Sequence, residues 1–349
     1  MSEATKTNSG LIGWVKKNSA QAAAYSGLIL CVVFFSIVTP LTGESIWLPA
    51  KLEALVRNVI VLALMSGGAV FVYSLGAMDI SIGKQVGLYA TLIVVVGNAT
   101  GSLLWSILLS LAISVIIGCI NGAAGEVLHI HPVVSSLVFM MVLTGVSSVT
   151  YNAIGSRNVA LSAFKVGLLK EPWFMLLVLA IEVLVVSYLF NFTKLGKNAK
   201  AIGANSVSAQ QSGINLVRYK MIAYVIMGIC VVVASLFQMG YTASASDSTG
   251  TGFEMNVRVA LILGGMPLNG GMRSKVSCAV IGSFTYALLD VGLPMLGVQP
   301  NQVFVIKAIL FLVVVVLTCR TKNGTLPRSG GYERWLRRLR RSSSALAVR

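Results

Sequence analysis

Ten apolar runs, parted by short polar or glycine-rich breaks, leave this chain few ways to fold. They lie near residues 22–40, 54–76, 86–97, 102–122, 133–151, 172–192, 221–240, 257–265, 276–293 and 303–319. The hydrocarbon core of a bilayer is about 30 Å thick, and a helix needs roughly twenty apolar residues to cross it. Most of the runs approach that length, but 86–97 and 257–265 are short. Lipid offers no hydrogen-bond partners, so a spanning segment must satisfy its backbone as a helix or within a closed barrel. Barrel strands alternate apolar and polar residues, whereas these runs are continuous. The expected fold is all-α, a polytopic helical membrane protein with about ten transmembrane helices, some of them short or broken. Composition agrees: the 349 residues are 56% hydrophobic and 11% charged, where a soluble chain is about a quarter charged.

Charge sets the expected sidedness. The net charge is +16, and from Arg320 onward nine Lys or Arg residues face the single acid Glu333, which accounts for half of it. Beside a membrane span, such a bias marks the cytoplasmic side rather than nucleic-acid binding. Ten spans with the N-terminus inside place the loop 194–220, Arg273, Lys275 and the tail on that side, and eight spans with two short re-entrant segments give the same sidedness. Both termini are then cytoplasmic, in a multi-pass protein of the cell (inner or plasma) membrane. Lys16 and Lys17 before the run 22–40 look like a signal peptide, but no small-residue cleavage site follows the run, so it reads as a retained first helix. The chain divides into a cytoplasmic segment 1–21, a transmembrane domain 22–319 and a basic tail 320–349. In the tail, Tyr332, Trp335, Leu336 and Leu339 share one helical face among arginines, as in a helix lying on the lipid interface. The five cysteines show no CxxC spacing, and two histidines without clustered acids suggest no metal site.

The longest polar interruption, 194–220, holds only positive charges: Lys194, Lys197, Lys200, Arg218 and Lys220. Inside it Asn205 can cap a helix over 206–212, and Gly213 suits the left-handed position that follows the last turn. A short helix at the cytoplasmic surface is either a docking element or part of a solvated loop. The residues Gly196-Lys197, Ala201-Ile202-Gly203, Asn205, Ala209 and Ser212-Gly213-Ile214 resemble the cytoplasmic loop of permease subunits in ribose-type, simple-sugar ABC importers. In that family, which also takes in branched-chain amino acid permeases, the loop carries the coupling helix that sits on the ATPase subunit. The resemblance thus assigns ATPase coupling to Gly203, Asn205, Ala209, Ser212 and Gly213.

Further blocks extend the resemblance over about 76–307. Gly76-Ala77-Met78-Asp79-Ile80-Ser81-Ile82-Gly83 is similar to the family's Gly-x-Asp-Leu-Ser-x-Gly. Physically it reads as a broken helix, tolerated at membrane depth only where it is buried in protein or lines a wet cavity. An intramembrane Asp is a functional candidate. The preferred reading of Asp79 itself is a cap for the next helix, a task Asn performs as well. Gly118 and Gly122 have the spacing of close helix packing. Gly264-Gly265, Leu268, Gly270-Gly271 and Ser274 resemble the family's glycine-rich block, with tight turns between short helices. Asn256 stands where that block usually has an acid, and Arg258 enters a segment that is usually apolar. Asp79, Ser81 and Glu254 are the polar candidates for the translocation pathway or its gate. The polar stretch 241–252 is expected outside the membrane.

There is no GxxxxGK[ST] loop: Gly83-Lys84 is followed by Gln85, and Gly196-Lys197 by Asn198. No catalytic set is legible and no cofactor is indicated, so the chain is expected to be a transport subunit rather than an enzyme. If ATP drives it, another chain hydrolyses the ATP. The partners implied are a cytoplasmic ATP-binding subunit, an extracytoplasmic solute-binding protein, a second permease subunit forming a homo- or heterodimer, and the lipid bilayer. Two other readings stand beside this one. An ion-coupled secondary transporter would use Asp79 or Asp290 as its coupling carboxylate. A membrane scaffold would recruit partners through its basic tail.

Overall fold

A computed structural model describes residues 19–322 except 42, 44 and 165. The amphipathic helix expected in the tail therefore lies outside the described residues. In chain order the elements are α1 (Ser19–Leu41), α2 (Pro49–Ser74), α3 (Ile82–Thr100), α4 (Leu103–Val127), α5 (Pro132–Ile154), β1 (Asn158–Ala160), α6 (Gly167–Lys170), α7 (Pro172–Phe192), α8 (Lys194–Ala204), α9 (Ser206–Gln211), α10 (Leu216–Thr242), β2 (Ser244–Ser246), α11 (Phe253–Leu263), α12 (Ser277–Met295) and α13 (Pro300–Lys322). Among the described residues, eight helices are long and apolar enough to cross a membrane. α13 matches them in length, and its apolar part is described through Val313. The run 257–265 is different. α11 has 11 residues, about 16 Å at the α-helical rise, half a bilayer.

α2 is the axis of the bundle. Proline at its first turn suits the start of a helix, and every residue from Val59 to Ser74 is buried. A helix that is apolar all round belongs in the middle. α10 packs against it, and α4 crosses α10 closely. A Cβ on Gly118 would lie 2.8 Å from Val225 Cα, and one on Gly122 2.7 Å from Met221 Cα. The spacing at 118 and 122 is thus used for backbone approach, continued up α4 by the buried Ser106, Ser110 and Ser114. A second cluster, around Phe35, Leu55, Leu288 and Val303, seats α1 and α13 against α12. α5 and α7 stand at the periphery with most of their surface exposed.

The stretch 241–252 does not stay outside the bundle. β2 pairs antiparallel with β1, Asn158 opposite Ser246 and Ala160 opposite Ser244. Asn98, near the end of α3, donates to the Ala160 carbonyl at 2.9 Å. From there the chain runs down α3. A Cβ on Gly87 would lie 2.6 Å from the Thr249 carbonyl, and one on Gly83 2.5 Å from that of Gly250. Asn98 and Gly83 are about 22 Å apart along a helix. The polar loop therefore reaches well into the span beside α3, and α11 starts there. Glycine at 83 and 87 allows this, because any side chain would push the loop away.

Candidate functional site

Asp79 lies in the break between α2 and α3. Gly76, with φ +75°, turns the chain after α2. The carboxylate is 1% exposed. Its Oδ1 accepts from the Ser81 backbone N–H at 2.7 Å and from the Ser81 hydroxyl at 2.6 Å. Its Oδ2 accepts from Gln85 Nε2 at 3.0 Å and from Asn121 Nδ2 at 3.3 Å. Those groups are held in turn. Gln85 Nε2 also donates to Ser81 Oγ at 2.9 Å, and Gln85 Oε1 accepts from the Tyr89 hydroxyl. Asn121 Oδ1 accepts from the Ser135 hydroxyl. Only one of the four donors is backbone, so capping is the smaller part of what Asp79 does. The rest is side chain, and one of those donors, Asn121, ties the helix break to α4 and through Ser135 to α5.

Glu254 is placed elsewhere. It sits in the first turn of α11, with its carboxylate packed directly over Gly83. Gly83 and Gly87 form one row of α3, while Ser81, Gln85 and Tyr89 form another, roughly 160° or more round the helix. The structure joins Asp79 to Ser81 and puts Glu254 on the opposite face of α3.

The loop 194–220 forms two helices, where the sequence suggested one. α8 was missed, although Gly196, Ala199 and Ile202 bury one face at helical spacing. Thr193 caps it through the Leu195 N–H at 3.2 Å. Asn205 caps α9 by accepting from the Ser208 N–H at 3.1 Å. α9 ends at Gln211. Gly213, at φ +82°, then lets the Gly213 N–H reach the Gln210 carbonyl and the Ile214 N–H reach the Ala209 carbonyl. This is the paired closure that a left-handed residue makes possible. Ala209 is buried, while Val207, Ser208, Gln210, Gln211 and Ser212 face outward.

Gly203 joins this helix pair to the bundle. A Cβ there would overlap the Ser74 carbonyl and lie 2.8 Å from the Gly271 nitrogen. The Gly271 N–H donates to the same Ser74 carbonyl at 2.9 Å. Three segments, the end of α2, the end of α8 and the glycine-rich loop, therefore meet backbone to backbone. A cleft of ≈ 400 Å³ opens beside them, lined by Leu75, Ala77, Pro132, Ile202, Asn205 and Lys220 among others. Lys200 rests 4.2 Å above the Phe190 ring. Burial, then the charge of Lys275, hold its ammonium below the usual lysine range.

Sequence reasoning missed two membrane-depth charges. Lys307 on α13 is 6% exposed. It is ion-paired to Asp290 on α12 and donates to the Tyr286 hydroxyl at 3.1 Å. Tyr286 donates to Asn256 Oδ1 at 2.5 Å, which links α11, α12 and α13. The Asp290 candidate for ion coupling is thus already neutralised. Lys307→Met strands Asp290 and is expected to destabilise the protein by about 1–3 kcal/mol, less than a fully buried pair because Asp290 is partly exposed. The double change with Asp290→Asn should recover most of the loss, read by thermal unfolding in detergent. A Lys307→Met protein as stable as wild type would show that the pair is not a clamp. The second missed charge, Glu182 on α7, packs over Gly67, with the Cys230 thiol of α10 beside its carboxylate. A lone acid inside an apolar run was the available signal.

A bundle of membrane-length helices with a half-helix, a broken helix around a buried carboxylate and an exposed helix pair keyed to one end defines a multi-pass membrane transport protein. Residues 52–315 match the family of permease components of branched-chain amino acid transport systems, and the chain belongs to that family. It is 26% identical over 300 residues to the ribose import permease of Escherichia coli, covering 83% of this chain and 92% of that protein. It is 29% identical over 260 residues to the galactose/methyl galactoside import permease of the same organism, covering 68% and 77%. It is 27% identical over 255 residues to its L-arabinose transport system permease, covering 71% and 76%. No solved structure matches the chain.

Proposed function

We propose that the chain is the membrane-spanning subunit of an ATP-driven importer that translocates a simple, ribose-like sugar or a similar small polar solute. The observation that carries this reading is the Gly203 contact. It keys an exposed helix pair to the end of α2, one turn before the break that holds Asp79. A push on α8 and α9 is then passed to the helix break through backbone, with no flexible side chain between. That is what a subunit driven from outside the membrane requires. The relatives named as import permeases for ribose and galactose and as a transport system permease for L-arabinose support the solute class. The excess of positive charge on the loop and tail supports a cytoplasmic position for α8, α9 and both termini. The partners are a separate ATP-binding subunit on α9, an extracytoplasmic solute-binding protein and a second permease subunit. Asp79 and Ser81 hold the inner break, and Glu254 faces the re-entrant loop at the start of α11.

The test is uptake of labelled ribose, galactose and arabinose by proteoliposomes containing the chain with its ATPase subunit and binding protein. ATP-dependent uptake is expected. Uptake driven by a proton or sodium gradient in vesicles lacking ATP would overturn the reading in favour of ion coupling. Gly213→Val probes the docking helix. A β-branched residue at positive φ is strained by about 1–3 kcal/mol, while nothing lies within 4 Å to clash with it. The membrane domain should remain folded while ATPase co-purification weakens severalfold. Unchanged co-purification and uptake would remove α9 from the docking surface.

A further inference from the structure

Arg258 on α11 is a cation without an acid. Among the described residues the ion pairs join Arg57 to Glu53, Lys220 to Glu126 and Lys307 to Asp290. Glu254, one turn before Arg258, turns its carboxylate to Gly83 instead. Asp79 is occupied by four donors of its own. The Arg258 Nε is buried and makes no hydrogen bond. Beside the guanidinium stands the buried hydroxyl of Tyr73, whose one hydrogen-bond partner is Arg258 itself, so its own O–H is left free to donate. An unpaired charge at membrane depth is costly and marks function. Both groups can donate, the guanidinium accepts nothing, and its planar fork matches two oxygens of one anionic group.

We propose that Arg258 and Tyr73 form a recognition point for an anionic oxygen group on the transported solute, the carboxylate of a sugar acid or the phosphate of a sugar phosphate. This rests on the importer reading, whose pathway it refines. The guanidinium fork grips the two oxygens while the Tyr73 hydroxyl donates to one of them. A neutral sugar leaves these donors unfilled inside the protein, so it is selected against.

The experiment uses the full transporter in proteoliposomes, with labelled ribose, galactose, galacturonate and ribose 5-phosphate as probes. Galacturonate or ribose 5-phosphate should enter at least about tenfold faster than the neutral sugars, and the faster of the two tells carboxylate from phosphate. Arg258→Ala should remove that advantage, with the anionic probes falling to the rate of ribose and galactose in the same vesicles. Arg258→Lys should keep part of it, because a point charge replaces a fork. Tyr73→Phe should reduce it severalfold. If Arg258→Ala fails to fold by size-exclusion profile, the lysine and phenylalanine variants carry the test. ATP-driven uptake of neutral sugars as fast as the anionic probes would overturn the inference and leave the importer standing. So would an equal loss for all probes in the variants, which would make Arg258 a distant counter-charge to Asp79. No ATP-driven uptake of any probe would bring down the importer reading itself.

Discussion

Replacing Gly203 with alanine is expected to abolish ATP-driven uptake, by about a hundredfold or more, while the chain still inserts and folds. The added Cβ would overlap the Ser74 carbonyl and press on the Gly271 nitrogen at 2.8 Å. Both neighbours are backbone, so no rotamer change relieves the clash. Either α8 lifts off the end of α2 or the Gly271 N–H to Ser74 carbonyl bond opens. Overpacking of this kind costs about 1–3 kcal/mol. That is a modest loss for a membrane bundle but a large one at a contact that must transmit movement. The measurement compares ATP hydrolysis with solute uptake in the same proteoliposomes. Hydrolysis that continues without uptake is the expected signature of a broken link. Full uptake by Gly203→Ala would show that α8 slides freely, and the mechanical reading would fall.

Asp79→Asn is expected to be nearly as damaging, although the two side chains have the same shape. Read as a helix cap, Asp79 could be replaced by Asn with little effect. The structure revises that expectation. All four partners of the carboxylate donate, so the asparagine amide must point its own N–H₂ at donors. Turned toward Oδ2, it faces the amides of Gln85 and Asn121. Flipping both would offer oxygens instead, but Gln85 then gives up its donation to Ser81 Oγ, and the Tyr89 and Ser135 hydroxyls must both turn from donating to accepting. Turned toward Oδ1, it faces the Ser81 N–H, which cannot flip at all. Each unsatisfied buried donor costs about 1–3 kcal/mol. A loss of about 2–4 kcal/mol in stability and a fall in uptake of at least tenfold are expected. Ser81→Ala, which removes one hydroxyl and leaves the carboxylate three donors, should cost only about 1 kcal/mol. Thermal unfolding and uptake of the two variants side by side check the order. An Asp79→Asn protein with wild-type stability and transport would return Asp79 to a simple cap.

The part of this protein that sequence alone determined is the part governed by local rules. Lipid accepts only helices whose backbone is satisfied internally, so run length and continuity were enough for the all-α membrane fold. Asn205 and Gly213 bound α9 because capping and left-handed turns involve residues only a few positions apart. Gly118 and Gly122 announced a close crossing through their spacing, though not that α10 would be the partner. What the tertiary structure decided is each case where the partner is distant in sequence. The polar stretch ending at Gly252 looks like an outer loop until Gly83 and Gly87 offer it a bare backbone row to descend. Glu254 and Asp79 read as one site until α3 stands between them. Lys307 is an expensive charge until Asp290 and Tyr286 meet it. Gly203 is an unremarkable small residue in a polar loop until the Ser74 carbonyl arrives against it. A single sequence carries propensity, length and periodicity, but which helix comes to lie beside which is settled by packing between residues tens to hundreds of positions apart.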